Sequence, residues 1–123
     1  MPDALARVEP GSEEILLTVS KGADVNFDIS WWYTNEDGEE VLQPLAGTLG
    51  YMSDVYDGDI IISFDTADSY VTIDAGVALI RVPGDDTALM DNLERGVWEL
   101  IGVAVTGEKK KLAWGPATVR EDV

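Results

Sequence analysis

Five aspartates crowd the stretch between positions 54 and 68: Asp54, Asp57, Asp59, Asp65 and Asp68. Carboxylates on turns are what calcium needs, with roughly six to eight oxygens drawn around one ion. The Asp57-Gly58-Asp59 turn and the Asp65/Asp68 pair would converge if residues 57–68 folded as a hairpin. The EF-hand spacing is missing, however, and no bidentate Glu follows at the required interval. Solvated turns are therefore the expectation, with Asp57, Asp59, Asp65 and Asp68 kept as the calcium candidates. Paired acids also suggest glycoside hydrolysis, but among 24 acidic residues such pairs arise by chance.

The remaining chemistry narrows quickly. The chain has no His and no Cys. It lacks the usual general base near neutral pH, the commonest neutral metal ligand and any thiol. Neither a Ser-His-Asp nor a Cys-His site can be built, and zinc would have to rely on carboxylates alone. No GxGxxG or GxxxxGK[ST] motif is present, so nucleotide binding has no motif behind it. The expectation is a chain with no enzymatic activity and no cofactor.

Residues suited to contact are easier to find. The four tryptophans are Trp31, Trp32, Trp98 and Trp114. Trp31 and Trp98 sit on the apolar faces of alternating stretches and belong to a core. Trp32 points away from Trp31, and Trp114 lies near a sheet edge; both suit a partner contact better than stacking on a sugar. Lys109, Lys110 and Lys111 place three of the eight basic residues in one hairpin tip. Such a tip blunts an edge strand, and it could also dock on an acidic neighbour, a second copy included. The partner-binding candidates are Trp32, Lys109, Lys110, Lys111 and Trp114.

Strands must position these residues. Glu14 to Lys21 puts Ile15, Leu17 and Val19 on one face. Asp24 to Thr34 alternates over eleven residues, the clearest strand pattern in the chain. Asp37-Gly38 and Asp57-Gly58 mark tight turns. Val41 to Ala46 is a short segment broken by Pro44, and Gly47 to Tyr56 is a twisted strand. Ile60 to Phe64 and Tyr70 to Ile73 are short strands, and Val77 to Val82 has the doubly apolar pattern of a central strand. A short helix is expected near 86–94, capped by Asp86 or Thr87, with Leu89 and Leu93 inward and Gly96 as its stop. Val97 to Thr106 follows, with Trp98, Leu100, Gly102 and Ala104 on one face and Val97, Ile101, Val103 and Val105 on the other, where Glu99 is the one polar member. Leu112 to Val119 closes the fold, with a bulge or break at Gly115-Pro116.

About seven to nine strands with turns at short intervals predict an all-β fold, a single antiparallel sandwich over residues 13–120 with one short helix. Residues 1–12 are expected to form a flexible arm. The 123 residues suffice for one domain, and an apolar fraction of 46% supports a folded core. The net charge of −16 favours solubility and repels nucleic acid and anionic membranes. No signal peptide and no apolar stretch of bilayer length is evident.

Several of these stretches resemble small Ig-like β-sandwich domains of tailed-phage tails, of the kind found in tail-tip, baseplate and minor tail proteins. The matching residues are Leu16-Leu17-Thr18-Val19 with Lys21-Gly22, Ile29-Ser30-Trp31 before Asp37-Gly38, and the strand Gly76 to Val82. To these are added Asp86-Thr87-Ala88-Leu89, Leu93, Gly96-Val97-Trp98, and Leu112 to Val119. The resemblance implies an Ig-like sandwich and a virion structural role, made in the host cytoplasm, with other virion proteins or further copies as partners. It supplies no catalytic residues. A capsid decoration protein and an acidic host-directed inhibitor that mimics nucleic acid are the alternatives.

Overall fold

The computed structural model of the chain describes residues 14–67 and 70–121. The arm expected over 1–12 lies outside them. The fold is all-β, with ten strands and one helical turn among the described residues. In chain order the strands are β1 (Leu17–Lys21), β2 (Val25–Ile29), β3 (Trp31–Thr34), β4 (Glu40–Gln43), β5 (Leu45–Asp54), β6 (Ile60–Ser63), β7 (Val71–Asp74), β8 (Val77–Val82), β9 (Leu93–Ala104) and β10 (Lys109–Glu121). The turn α1 (Gly84–Thr87) lies between β8 and β9. A five-stranded sheet runs in the order β1-β10-β9-β5-β6, a three-stranded sheet in the order β2-β8-β7, and β3-β4 form a separate ribbon.

Alternation drives both faces of the large sheet. On β9, Trp98, Leu100 and Ala104 turn inward and are buried, while Val97 and Glu99 turn outward. The inward side chains meet those of the smaller sheet in a single core. Phe27 on β2, Phe64 just after β6 and Trp98 stack edge to face in all three pairings, with centroids 6.0 to 6.4 Å apart. Edge-to-face contacts suit ring quadrupoles and add about 0.5–1.5 kcal/mol each to the area buried. As expected from its pattern, β8 is central in its sheet, with Ala78, Ile80 and Val82 buried.

Four sequence expectations change. The long alternation from Asp24 to Thr34 is two strands in different sheets, because the chain switches sheets at Ser30. Ser30 is buried, and its Oγ accepts from Trp32 Nε1 at 2.8 Å. Second, pairing is not antiparallel throughout: β1 runs parallel to β10, with Leu17 opposite Ala117 and Lys21 opposite Glu121. No hairpin joins these two strands, so their direction is free of turn constraints.

Third, the helix expected near 86–94 is confined to Gly84–Thr87. The hydroxyl of Thr87 turns back to bond the chain before β2, donating to the Ala23 carbonyl and accepting from Gly22 N–H. Leu93 has already joined β9 opposite Val119, and Leu89 is left exposed. Gly96 is inside that strand, not at a helix end; a Cβ there would stand 2.9 Å from the Ala117 carbonyl oxygen. Fourth, Gly115 and Pro116 stay in the ladder opposite Trp98 and Val97. The bulges of β10 fall instead between Lys111 and Ala113 and between Ala117 and Val119.

Gly115 is the tightest point of this construction. Its φ is +154°, and a Cβ on it would collide with the backbone carbonyl of Ile15. Gly115→Ala should therefore destabilise the fold by about 2 kcal/mol, an overpacking cost. The midpoint of a urea unfolding curve measures it, and an unchanged midpoint would refute the close approach.

A second prediction concerns alkaline pH. The Tyr70 hydroxyl donates to Asp86 Oδ2 at 2.7 Å, and this bond holds the phenol above its usual pKa. The folded state then keeps the proton that the unfolded chain releases near pH ~10. Stability should fall as the pH rises beyond that point, and Tyr70→Phe should flatten the fall. Thermal melts between pH 8 and 11 (roughly bracketing the free phenol) test it.

Candidate functional site

The sheet geometry gathers a surface on the outward face of β5, β9 and β10. Trp114 lies directly opposite Glu99, and Glu99 directly opposite Tyr51, so the three form one row across three strands. Directly opposed side chains in antiparallel strands sit within contact distance of one another. Pro116 and Val97 form the next row toward the start of β9. Together these side chains line an open groove of about 370 Å³, with Glu14 at its rim.

The groove has a firm floor. Trp98 Nε1 donates to the Ile15 carbonyl oxygen at 2.8 Å, and Ile15 N–H donates to the Trp114 carbonyl oxygen at 2.7 Å. Glu14 bridges to Trp114 in the same parallel sense as β1 to β10. The backbone carrying Trp114 is thus held from both sides, by β9 and by the segment leading into β1.

Charge enters at one point. Lys111 Nζ lies 3.9 Å from Glu99 Oε2, with half of the lysine side chain in solvent. A pair this long and this wet contributes little to stability, about 0–1 kcal/mol. The Glu99 carboxylate also faces the Tyr51 hydroxyl as hydrogen-bond acceptor, and this bond first, then its charge, raises the phenol above its usual pKa. The surface is therefore aromatic and apolar around one carboxylate with a lysine beside it.

Of the partner-binding candidates, Lys111 and Trp114 come together in this groove. Lys109 lies on the same face two residues nearer the hairpin tip, opposite Val103, while Lys110 is opposite Gly102 and belongs to the other face. Trp32 is elsewhere, on the β3-β4 ribbon. Sequence reasoning missed Tyr51, Glu99, Val97 and Pro116 as parts of one surface. The outward face of β9 was legible, but the register that sets Tyr51 and Trp114 beside it was not.

Three of the aspartates between positions 54 and 68 each accept a backbone hydrogen bond, Asp54 and Asp57 within their own turn and Asp65 from β5. Asp57 Oδ1 accepts from Asp59 N–H at 3.0 Å, Asp54 Oδ1 from Tyr56 N–H at 2.8 Å, and Asp65 Oδ1 from Gly50 N–H at 2.8 Å. Among the described residues no three acidic side chains are grouped so as to hold a metal ion. Asp68 lies outside the described residues. A second groove, about 390 Å³, runs beside edge strand β6 between Ile60, Ile62, Tyr70, Leu89 and Met90. No helix among the described residues is long and apolar enough to cross a membrane.

No protein-family model matches the chain, and no curated protein matches it.

Glu99→Gln removes the charge beside Tyr51 while keeping an acceptor. The Tyr51 phenol should then titrate closer to its ordinary value near ~10. NMR of labelled tyrosine follows that single ring, and an unmoved titration would show that Glu99 does not act on it.

Proposed function

We propose that this protein is non-enzymatic and works by protein–protein contact through the outward face of its five-stranded sheet, as a structural component of a phage or prophage virion, in the tail or tail tip. The observation that carries the contact reading is the Trp114–Glu99–Tyr51 row with Val97 and Pro116 beside it. Aromatic side chains held on a rigid sheet offer large contact area at small entropic cost, and they are enriched among the residues that dominate interface energies. Tyr51 and Tyr70, the phenols beside carboxylates, are both shifted away from neutrality. Acid–base catalysis needs groups tuned toward it.

The virion placement rests on the resemblance of residues 14 to 120 to tail domains. The strand order supports its Ig-like part. With β3-β4 counted as an inserted ribbon, β2-β8-β7 correspond to the B, E and D strands of an Ig sandwich, and β10-β9-β5-β6 to G, F, C and C′. Partners in this reading are other virion proteins and further copies, with nucleic acid disfavoured by the net charge of −16. The same charge favours a second reading, an acidic inhibitor that occupies the nucleic-acid site of a host protein.

Sedimentation of assembled particles separates the two. In the virion reading the protein co-sediments with particles, and Trp114→Ala lowers its occupancy about tenfold or more, the effect of losing one dominant aromatic. Absence from particles, with retention of a host DNA-binding protein in a pull-down, favours the inhibitor.

A further inference from the structure

We infer that the outward face of the five-stranded sheet is the interface of a homodimer, in which a second copy lies antiparallel across it with each Lys109–Lys111 hairpin against the other copy's 54–59 turn. This rests on the protein-contact reading above and adds the partner and the geometry.

The face is polarised along its strands. At one end the β9–β10 hairpin carries Lys109, Lys110 and Lys111, all exposed. Strand β5 runs opposite to β9: Leu45 lies across from Ala104 and Asp54 across from Gly96. The turn after β5 is therefore at the far end, and it carries Asp57 and Asp59, while Asp54, opposite Gly96, belongs to the other face. One arginine, Arg95, stacks on Tyr56 there, 5.9 Å from the ring centre, and offsets part of that charge. Between the ends lie the exposed or half-exposed apolar side chains of Leu49, Tyr51, Val97, Trp114 and Pro116.

The spacing fits a two-fold axis. Lys109 is opposite Val103, four residues beyond Glu99, and Asp54 is opposite Gly96, three residues before it. At ~3.3 Å per residue both ends stand roughly 10–13 Å from the Glu99 row. A two-fold axis in the plane of the face, crossing that row obliquely so that the β9–β10 side of each copy lies over the β5–β6 side of the other, sets the basic end of each copy on the acidic end of the other. It also sets Val105, 62% exposed at the hairpin tip, against Val55 and Tyr56, 55% and 75% exposed in the turn. The contact is isologous and closes. Parallel stacking would oppose lysine to lysine and aspartate to aspartate. At the axis each Glu99 already has Lys111 beside it, so two carboxylates and two ammonium groups share the centre. Repulsion between two copies of charge −16 is long-ranged and is screened over ~8 Å at physiological salt, whereas the contacts are local.

Sedimentation equilibrium at about 100 μM protein, where a micromolar Kd fills the interface, reads the assembly. The wild-type chain should be a dimer. Lys109→Glu with Lys110→Glu in one variant, which leaves the Lys111–Glu99 pair intact, and Asp57→Lys with Asp59→Lys in another, should each weaken dimerisation at least tenfold. An equimolar mixture of the two variants should restore a dimer, because both contacts of the mixed pair are then complementary. Circular dichroism confirms that each variant is folded. Independently of the variants, carbodiimide coupling in a mixture of unlabelled and isotope-labelled wild-type protein should join Lys109 or Lys111 of one copy to Asp57 or Asp59 of another. A wild-type monomer, a species larger than the dimer, or a dimer indifferent to both charge reversals overturns the inference. A monomer that still co-sediments with particles would overturn the dimer alone; a dimer absent from particles would overturn the virion reading alone.

Discussion

Trp98 sets the terms for the rest of the molecule. A buried indole needs both a packed ring and a partner for its N–H. The ring is packed edge to face by Phe27 from the smaller sheet and by Phe64 from the end of β6. The N–H is taken by the carbonyl of Ile15, just before β1. One side chain thus ties both sheets to the start of the described chain. The same bond draws the Ile15 backbone over Gly115, which explains why that position has no room for a side chain. It also brings β1 alongside β10 in the parallel sense, the one departure from antiparallel pairing among the described strands.

Because side chains alternate along a strand, burying Trp98 forces Val97 and Glu99 outward. The outward surface follows from the core in this direct sense. Glu99 would be an ordinary solvated acid were it not flanked across both neighbouring strands by aromatics, Trp114 and Tyr51. Lys111 reaches the same carboxylate from above, and the result is a local balance of charge in a chain whose overall balance is strongly negative. That contrast separates this face from the acidic turns, where Asp54 and Asp57 each accept with one oxygen from the backbone N–H two residues on.

Much of this was legible in the sequence, where local pattern decides local structure. The alternation from Val97 to Thr106 named both faces of β9, and Val77 to Val82 was recognisable as a central strand. What could not be seen was long-range. Period 2 continues unbroken through Ser30, so nothing marks the residue at which the chain changes sheets. The Asp86-Thr87-Ala88 signal reads as a helix start, yet the Thr87 hydroxyl is used to tie the turn to Ala23, 64 residues away in sequence, and the helix ends there. The groove was half visible. Trp114 and Lys111 stood out by type, whereas Tyr51 needed the β5–β9 register to become their neighbour.

The placement of the groove follows from the same long-range pairing. Glu14 and Ile15 reach β10 only at Trp114, so the edge of β10 nearest the hairpin, from Lys109 to Ala113, pairs with β9 alone among the described strands. A strand edge with no neighbour among the described residues invites further pairing, and lysines are a recurrent means of discouraging it. The triple lysine therefore has a structural reason to exist before any partner is considered. Lys109 and Lys111, however, also project onto the outward face in line with Glu99, while Lys110 does not. Edge protection asks only for charge near the edge. The alignment of two of the three lysines with an apolar, aromatic surface is the additional feature, and it makes the outward face a better candidate for contact than the edge beside it.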